Sequence, residues 1–89
     1  MTIEVQRETV DWVKKTHYQN GVTYTGSWSY QIVPFRSRPT GSWVNAVVNG
    51  SDKGIDVSGL SANYYWVFYR IDGVAPYIPV EDPEVLVVL

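Results

Sequence analysis

The chain has no cysteine in its 89 residues. Disulfides, thiolate metal sites and thiol nucleophiles are therefore all excluded, and a secreted scaffold that depends on cross-links is disfavoured. Histidine occurs once, at His17, so a zinc site would need scattered carboxylates that show no ligand spacing. A lone histidine near a strand end reads as a surface residue. No stretch approaches the ~18 apolar residues of a membrane span. The first residues, "MTIEVQRETV", carry no apolar run and no small-residue cleavage site, so no signal peptide is expected. Gly-x-Ser-x-Gly, the P-loop and Gly-x-Gly-x-x-Gly are all missing, which leaves no nucleophile elbow and no phosphate cradle. The sequon at Asn49, Gly50 and Ser51 reads as a turn.

Charge is also scarce. Charged residues make up 18% of the chain, against a typical ~25%. Seven basic and nine acidic residues give a net charge of −2. The basic residues gather only as Lys14 with Lys15 and Arg36 near Arg38, too few for the basic stripe of a nucleic-acid-binding domain. Acidic residues gather at Glu81, Asp82 and Glu84, where calcium or carboxylate catalysis could be considered. Beside Pro79 and Pro83 they read instead as a solvated loop before the last strand. No cofactor, metal or catalytic residue is expected, and the chain is read as a non-enzyme.

What the chain has in excess is rings: four tryptophans, seven tyrosines and two phenylalanines. Surfaces that meet other proteins share this bias. Glycine, proline and Asn-Gly punctuation leaves no window for a long helix. Between the breaks lie runs of Val, Ile, Thr, Tyr and Trp, which suit a pleated surface. Their spacing predicts one all-β domain over 1–89, a sandwich or barrel with about seven short strands near 2–6, 9–17, 24–33, 43–49, 53–58, 63–72 and 84–89.

In the third of these, Trp28, Tyr30 and Ile32 alternate with Ser27, Ser29 and Gln31, as one buried and one wet face require. The stretch "GLSANYYWVFYRID" places Leu60, a short polar turn and then a long alternating strand. It resembles the corner before the F strand of immunoglobulin and fibronectin-III sandwiches, which implies that the Tyr65 hydroxyl bonds back to the preceding turn. In that register Tyr65, Val67, Tyr69 and Ile71 face the core, with Trp28, Tyr30, Ile32 and Leu60 as further core residues. Trp12 and Trp43 are also expected inside. Tyr64, Trp66, Phe68 and Arg70 are left on the second face. They could pack on an ordinary exposed sheet, meet another subunit, or stack sugar rings.

The run "EVLVVL" is apolar on both faces, a pattern of strands covered on both sides, so Val85, Val87 and Leu89 are candidate contacts too. Arg36 and Arg38 lie in a loop beside Pro34, Phe35 and Pro39, where a rigid scaffold commonly carries its contacts. The partner-binding set is then Tyr64, Trp66, Phe68, Arg36, Arg38, Val85, Val87 and Leu89.

The order "RETVDWVKK", "SRPTGSW", "GLSANYYWVFYRID" and "VAPYIPV" before a final apolar strand resembles small β-sandwich structural proteins of tailed bacteriophages, notably those of actinobacterial hosts. This chain has Ala62-Asn63 where that family usually carries Pro-Gly at the corner. The resemblance implies an accessory head protein that decorates the capsid exterior, made in the bacterial cytoplasm. Its expected partners are the major capsid protein or other virion subunits, with self-association of copies also open, and neither nucleic acid nor membrane. A head–tail connector or tail component is the alternative. A glycan-binding adhesion module is a third reading.

Overall fold

The structure is a computed structural model and describes residues 2–6, 8–19, 21–71 and 83–89. It is all-β: the described residues form ten strands in three sheets. In chain order these are β1 (Thr2–Val5), β2 (Trp12–Lys14), β3 (His17–Gln19), β4 (Val22–Tyr24), β5 (Trp28–Pro34), β6 (Val44–Asn45), β7 (Val47–Asn49), β8 (Asp52–Asp56), β9 (Asn63–Ile71) and β10 (Glu84–Val88). A five-stranded sheet runs β1-β10-β9-β5-β6, a three-stranded sheet runs β2-β8-β7, and β3-β4 form a separate hairpin. Among the described strands β1 pairs with β10 in parallel and the other ladders are antiparallel.

The strand count exceeds the expected seven because two runs break and because a further short strand, β4, forms over Val22–Tyr24, largely ahead of the run expected from residue 24. The run expected over 9–17 divides into β2 and β3, which belong to different sheets. The run over 43–49 also divides: β6 pairs in the five-stranded sheet and β7 in the three-stranded one. Between them Ala46 donates its N–H to the Trp28 carbonyl at 2.9 Å. A strand that changes sheets in this way makes a corner between two layers. The β7–β8 hairpin turns through Gly50 and Ser51, where Gly50 holds φ at 66°. A glycine first in a two-residue loop suits the right-handed twist of the flanking strands.

Register decides what is inside. Antiparallel partners share a face, so Trp28 with Ile71, Tyr30 with Tyr69 and Ile32 with Val67 line one side of the five-stranded sheet. Leu86 joins them opposite Tyr65, and Ile3 and Val5 follow on β1. From the other sheet Ile55 and Val57 close the layer, with Val13 packed beside them. Ile55, Val67 and Leu86 have no exposed surface. The Tyr30 hydroxyl crosses between the layers and accepts the Asp56 N–H at 2.9 Å. Trp28, Tyr30, Val67 and Ile71 belong to this core, and Ile32, Leu60 and Tyr65 pack against it half-buried. The Tyr65 hydroxyl donates to the Ser61 carbonyl at 2.8 Å and lies 3.2 Å from the Ser61 hydroxyl, fixing the turn that opens β9.

Trp12 and Trp43 depart from expectation, since neither lies between the layers. Val13 and Ile55 share the inner face, so Trp12 lies on the outer one. Its indole N–H donates to the Val47 carbonyl at 3.2 Å. Trp43 sits under the Arg70 guanidinium, 4.9 Å from carbon to ring centroid. Both rings cover outer faces instead of filling the middle.

Candidate functional site

The second face of the five-stranded sheet carries Tyr64, Trp66 and Phe68 from β9, as the alternation requires, but it is not an open row. Phe68 is only 2% exposed. Its cross-strand neighbour Gln31 is buried as well. The Gln31 side-chain carbonyl accepts the Thr40 N–H at 2.6 Å and its amide donates to the Thr40 carbonyl at 2.9 Å. This paired contact binds the 35–43 loop back toward its own sheet. Val33 and Val87, on the same face, are buried too. Phe68 and Val87 are therefore interior residues, and the expectation that they meet a partner is corrected.

What stays exposed is one corner of that face. Pro34 accepts the Ser37 N–H at 2.9 Å, closing a turn that throws Phe35 and Arg36 outward. Arg36 takes φ 67°. This left-handed conformation costs a residue with a Cβ of the order of 1 kcal/mol. The Phe35 ring meets Tyr64 at 5.8 Å and Trp66 at 5.5 Å, with interplanar angles of 70° and 66°. The Arg36 guanidinium lies over Phe35 at 5.4 Å. Tyr64 is 56% exposed and Phe35 39%. Arg36 and Arg38 are exposed, Trp66 and Val85 half-buried, and Leu89 exposed one residue beyond Val88, which pairs with Asn63. The structure thus joins Tyr64, Trp66 and Arg36 through Phe35, while Leu89 donates its N–H to the Val5 carbonyl at the end of β10. Phe35 was missing from the sequence-derived set. Its signal was local: a ring between Pro34 and Arg36 in a turn has no strand face to bury it.

A second cluster is internal. Tyr69 donates to Glu84 Oε1 at 2.5 Å, and Lys15 reaches Glu84 Oε2 at 3.0 Å. The Lys15 ammonium also lies over the Tyr69 ring at 5.1 Å. His17 is buried edge-on against Trp28 at 4.5 Å and Tyr69 at 4.7 Å. Burial pushes the His17 pKa down to about 4, assisted by the Lys15 charge and opposed by Glu84. Burial likewise raises the Tyr69 pKa, and the neighbouring Glu84 carboxylate adds to the rise. Two expectations change here. His17 is not a surface residue, and Glu84 is not part of a solvated loop, because it anchors β10 to Tyr69 and Lys15. Glu81, Asp82 and the segment "VAPYIPV" lie outside the described residues. Among the described residues no group of three or more His, Cys, Asp or Glu side chains could hold a metal ion. The Tyr69–Glu84–Lys15 group joins the two ends of the chain, and its contacts hold the fold together.

Comparison with protein-family models, with curated proteins and with solved structures gives no match to this chain.

Proposed function

We propose that the chain is an immunoglobulin-like β-sandwich that works by binding, as a non-enzymatic structural subunit on the head of a tailed bacteriophage. The strand order supports the fold reading. In the lettering of such sandwiches, β2-β8-β7 correspond to B-E-D and β10-β9-β5-β6 to G-F-C-C′, with β1 as a short parallel strand beside G. The Tyr65 bond to Ser61 sits at the corner before the F-equivalent strand. The sequence order of "RETVDWVKK", "SRPTGSW" and the corner strand supports the virion reading by resemblance.

The observation that carries the binding reading is the exposed Phe35–Tyr64 corner. Gln31, Val33, Phe68 and Val87 on the same face are buried, yet this corner is held outward by a turn with Arg36 in a left-handed conformation. Strain kept at a displayed position is a feature of contact sites. Tyrosine, tryptophan and arginine are also the residues that dominate protein–protein contacts. Many copies of such a modest contact would hold firmly on a shell through multivalency.

The test is co-sedimentation of the purified chain with phage heads that lack it. Wild-type chain is expected to pellet with heads and Phe35→Ala with Tyr64→Ala to remain in the supernatant while still folded. Equal pelleting of both would remove the corner from the interface.

A further inference from the structure

We infer that the Phe35–Tyr64 corner takes an acidic segment of a partner protein, seated by an apolar side chain against the rings and by carboxylates against Arg36 and Arg38. The inference rests on the corner being the binding surface and adds the chemistry of what it binds.

Charge along the chain is segregated. Between Asp11 and Asp52 there is no carboxylate, while Lys14, Lys15, Arg36 and Arg38 fall in that interval. The two lysines are taken by partners within the chain, Lys14 by Asp52 at 3.3 Å and Lys15 by Glu84 at 3.0 Å. Among the described residues no ion pair reaches Arg36 or Arg38. Both are exposed on the 35–43 loop, Arg36 over the Phe35 ring and Arg38 two residues further along. The nearest described carboxylate on this face is Glu4, beyond Val87 on the outer strand β1. Among the described residues the corner is therefore a positive, ring-lined patch, on a chain whose net charge is −2. Complementary potential selects the partner and speeds its approach.

Three other occupants fit less well. A second copy meeting the corner about a two-fold axis would set Arg36 and Arg38 against their own equivalents, which like charge opposes. A sugar ring stacks on a flat aromatic face, whereas Phe35 stands at 70° to Tyr64 and 66° to Trp66, so these rings share no plane. One face of Phe35 is already occupied by the Arg36 guanidinium. A nucleic acid would call for a broad cationic track, and two exposed arginines do not make one.

The experiment is selection from a displayed library of random peptides on the purified chain, with binders counted by sequence. Enrichment of Asp and Glu around a central apolar residue is expected. Arg36→Glu with Arg38→Glu should turn the preference toward Lys and Arg. An enriched acidic peptide should bind wild type about tenfold more weakly at high salt, since exposed pairs are screened. Circular dichroism checks that the charge-reversed chain is folded, and both positions are exposed enough for it to be. Peptides with no acidic excess, or a preference unmoved by the charge reversal, overturn the inference. So does tight binding of heparin with no acidic peptide recovered, or self-association that the arginine changes leave intact. The two readings fail separately. If the Phe35 and Tyr64 changes leave head binding intact, the corner itself is wrong. If they abolish it and the arginine changes do nothing, only the acidic partner is wrong.

Discussion

His17 stands edge-on to Tyr69, with 4.7 Å between ring centroids and 71° between the planes. Through that contact the β3–β4 hairpin is joined to the middle of the larger sheet. The imidazole is buried beside the Lys15 ammonium, so the folded chain takes up its proton only near pH 4, whereas an unfolded chain does so near 6.5. The native-state advantage is therefore complete above pH 6.5 and is lost as pH falls from there toward 4. The group contributes on the order of 3 kcal/mol across that window. Glu84, Lys15 and Tyr69 face the same site, so His17→Phe is the informative change: it keeps a ring among rings and removes the titration. Urea midpoints measured at several pH values between about 7.5 and 4 should fall steeply for wild type and much less for the variant. Parallel slopes would show that the histidine is not the titrating group.

Phe68 and Tyr64 sit on one strand, face the same way, and should behave as opposites. Phe68 is enclosed, so truncation to alanine leaves a cavity and is expected to cost about 3–5 kcal/mol. Tyr64 is exposed, so the same truncation is expected to cost under about 1 kcal/mol. Chemical denaturation of the two single variants decides it. A mild Phe68→Ala would return that ring to the list of partner contacts.

These residues also mark the limit of what the sequence made legible. Tyr65 and Ser61 are four positions apart, so their bond belongs to one local turn and could be anticipated from the motif. The alternation of β5 and β9 likewise separated Trp28, Tyr30, Val67 and Ile71 from the outward set, because a strand has only two faces. Burial of the second face was another matter. The Gln31–Thr40 contact on that face joins a strand to a loop, and neither residue type advertises it. The Lys15–Glu84 pair spans 69 positions and requires both ends of the chain to be placed first. Ala46 conceals a change of sheet inside what reads as one continuous strand.

Arg36 gives an inverted substitution pattern. Its φ of 67° suits glycine and disfavours any residue with a Cβ. Arg36→Ala and Arg36→Gly both remove the guanidinium from Phe35, so that loss cancels in the comparison. Glycine should then be the more stable of the two by about 1 kcal/mol, opposite to its usual order in extended chain. Both variants should lose partner binding together. If alanine proves more stable than glycine, the turn does not hold the strain assigned to it.

Gly54 is required by close approach, not by its backbone angles. A Cβ there would fall against the Val13 carbonyl and 2.6 Å from the Trp12 indole. The indole covers this strand position because no side chain fills it, and its N–H reaches on to Val47. Gly54→Ala should therefore cost about 2–3 kcal/mol, the range for overpacking a filled site. Two obstacles of different kinds make the prediction specific. Adding Trp12→Leu removes the movable one and should restore part of the loss relative to Trp12→Leu alone. The Val13 carbonyl belongs to the β2–β8 ladder and cannot withdraw without breaking it. Full rescue by the tryptophan change would mean that the indole alone excludes the methyl group, and that the β2 backbone yields where the ladder implies it should not.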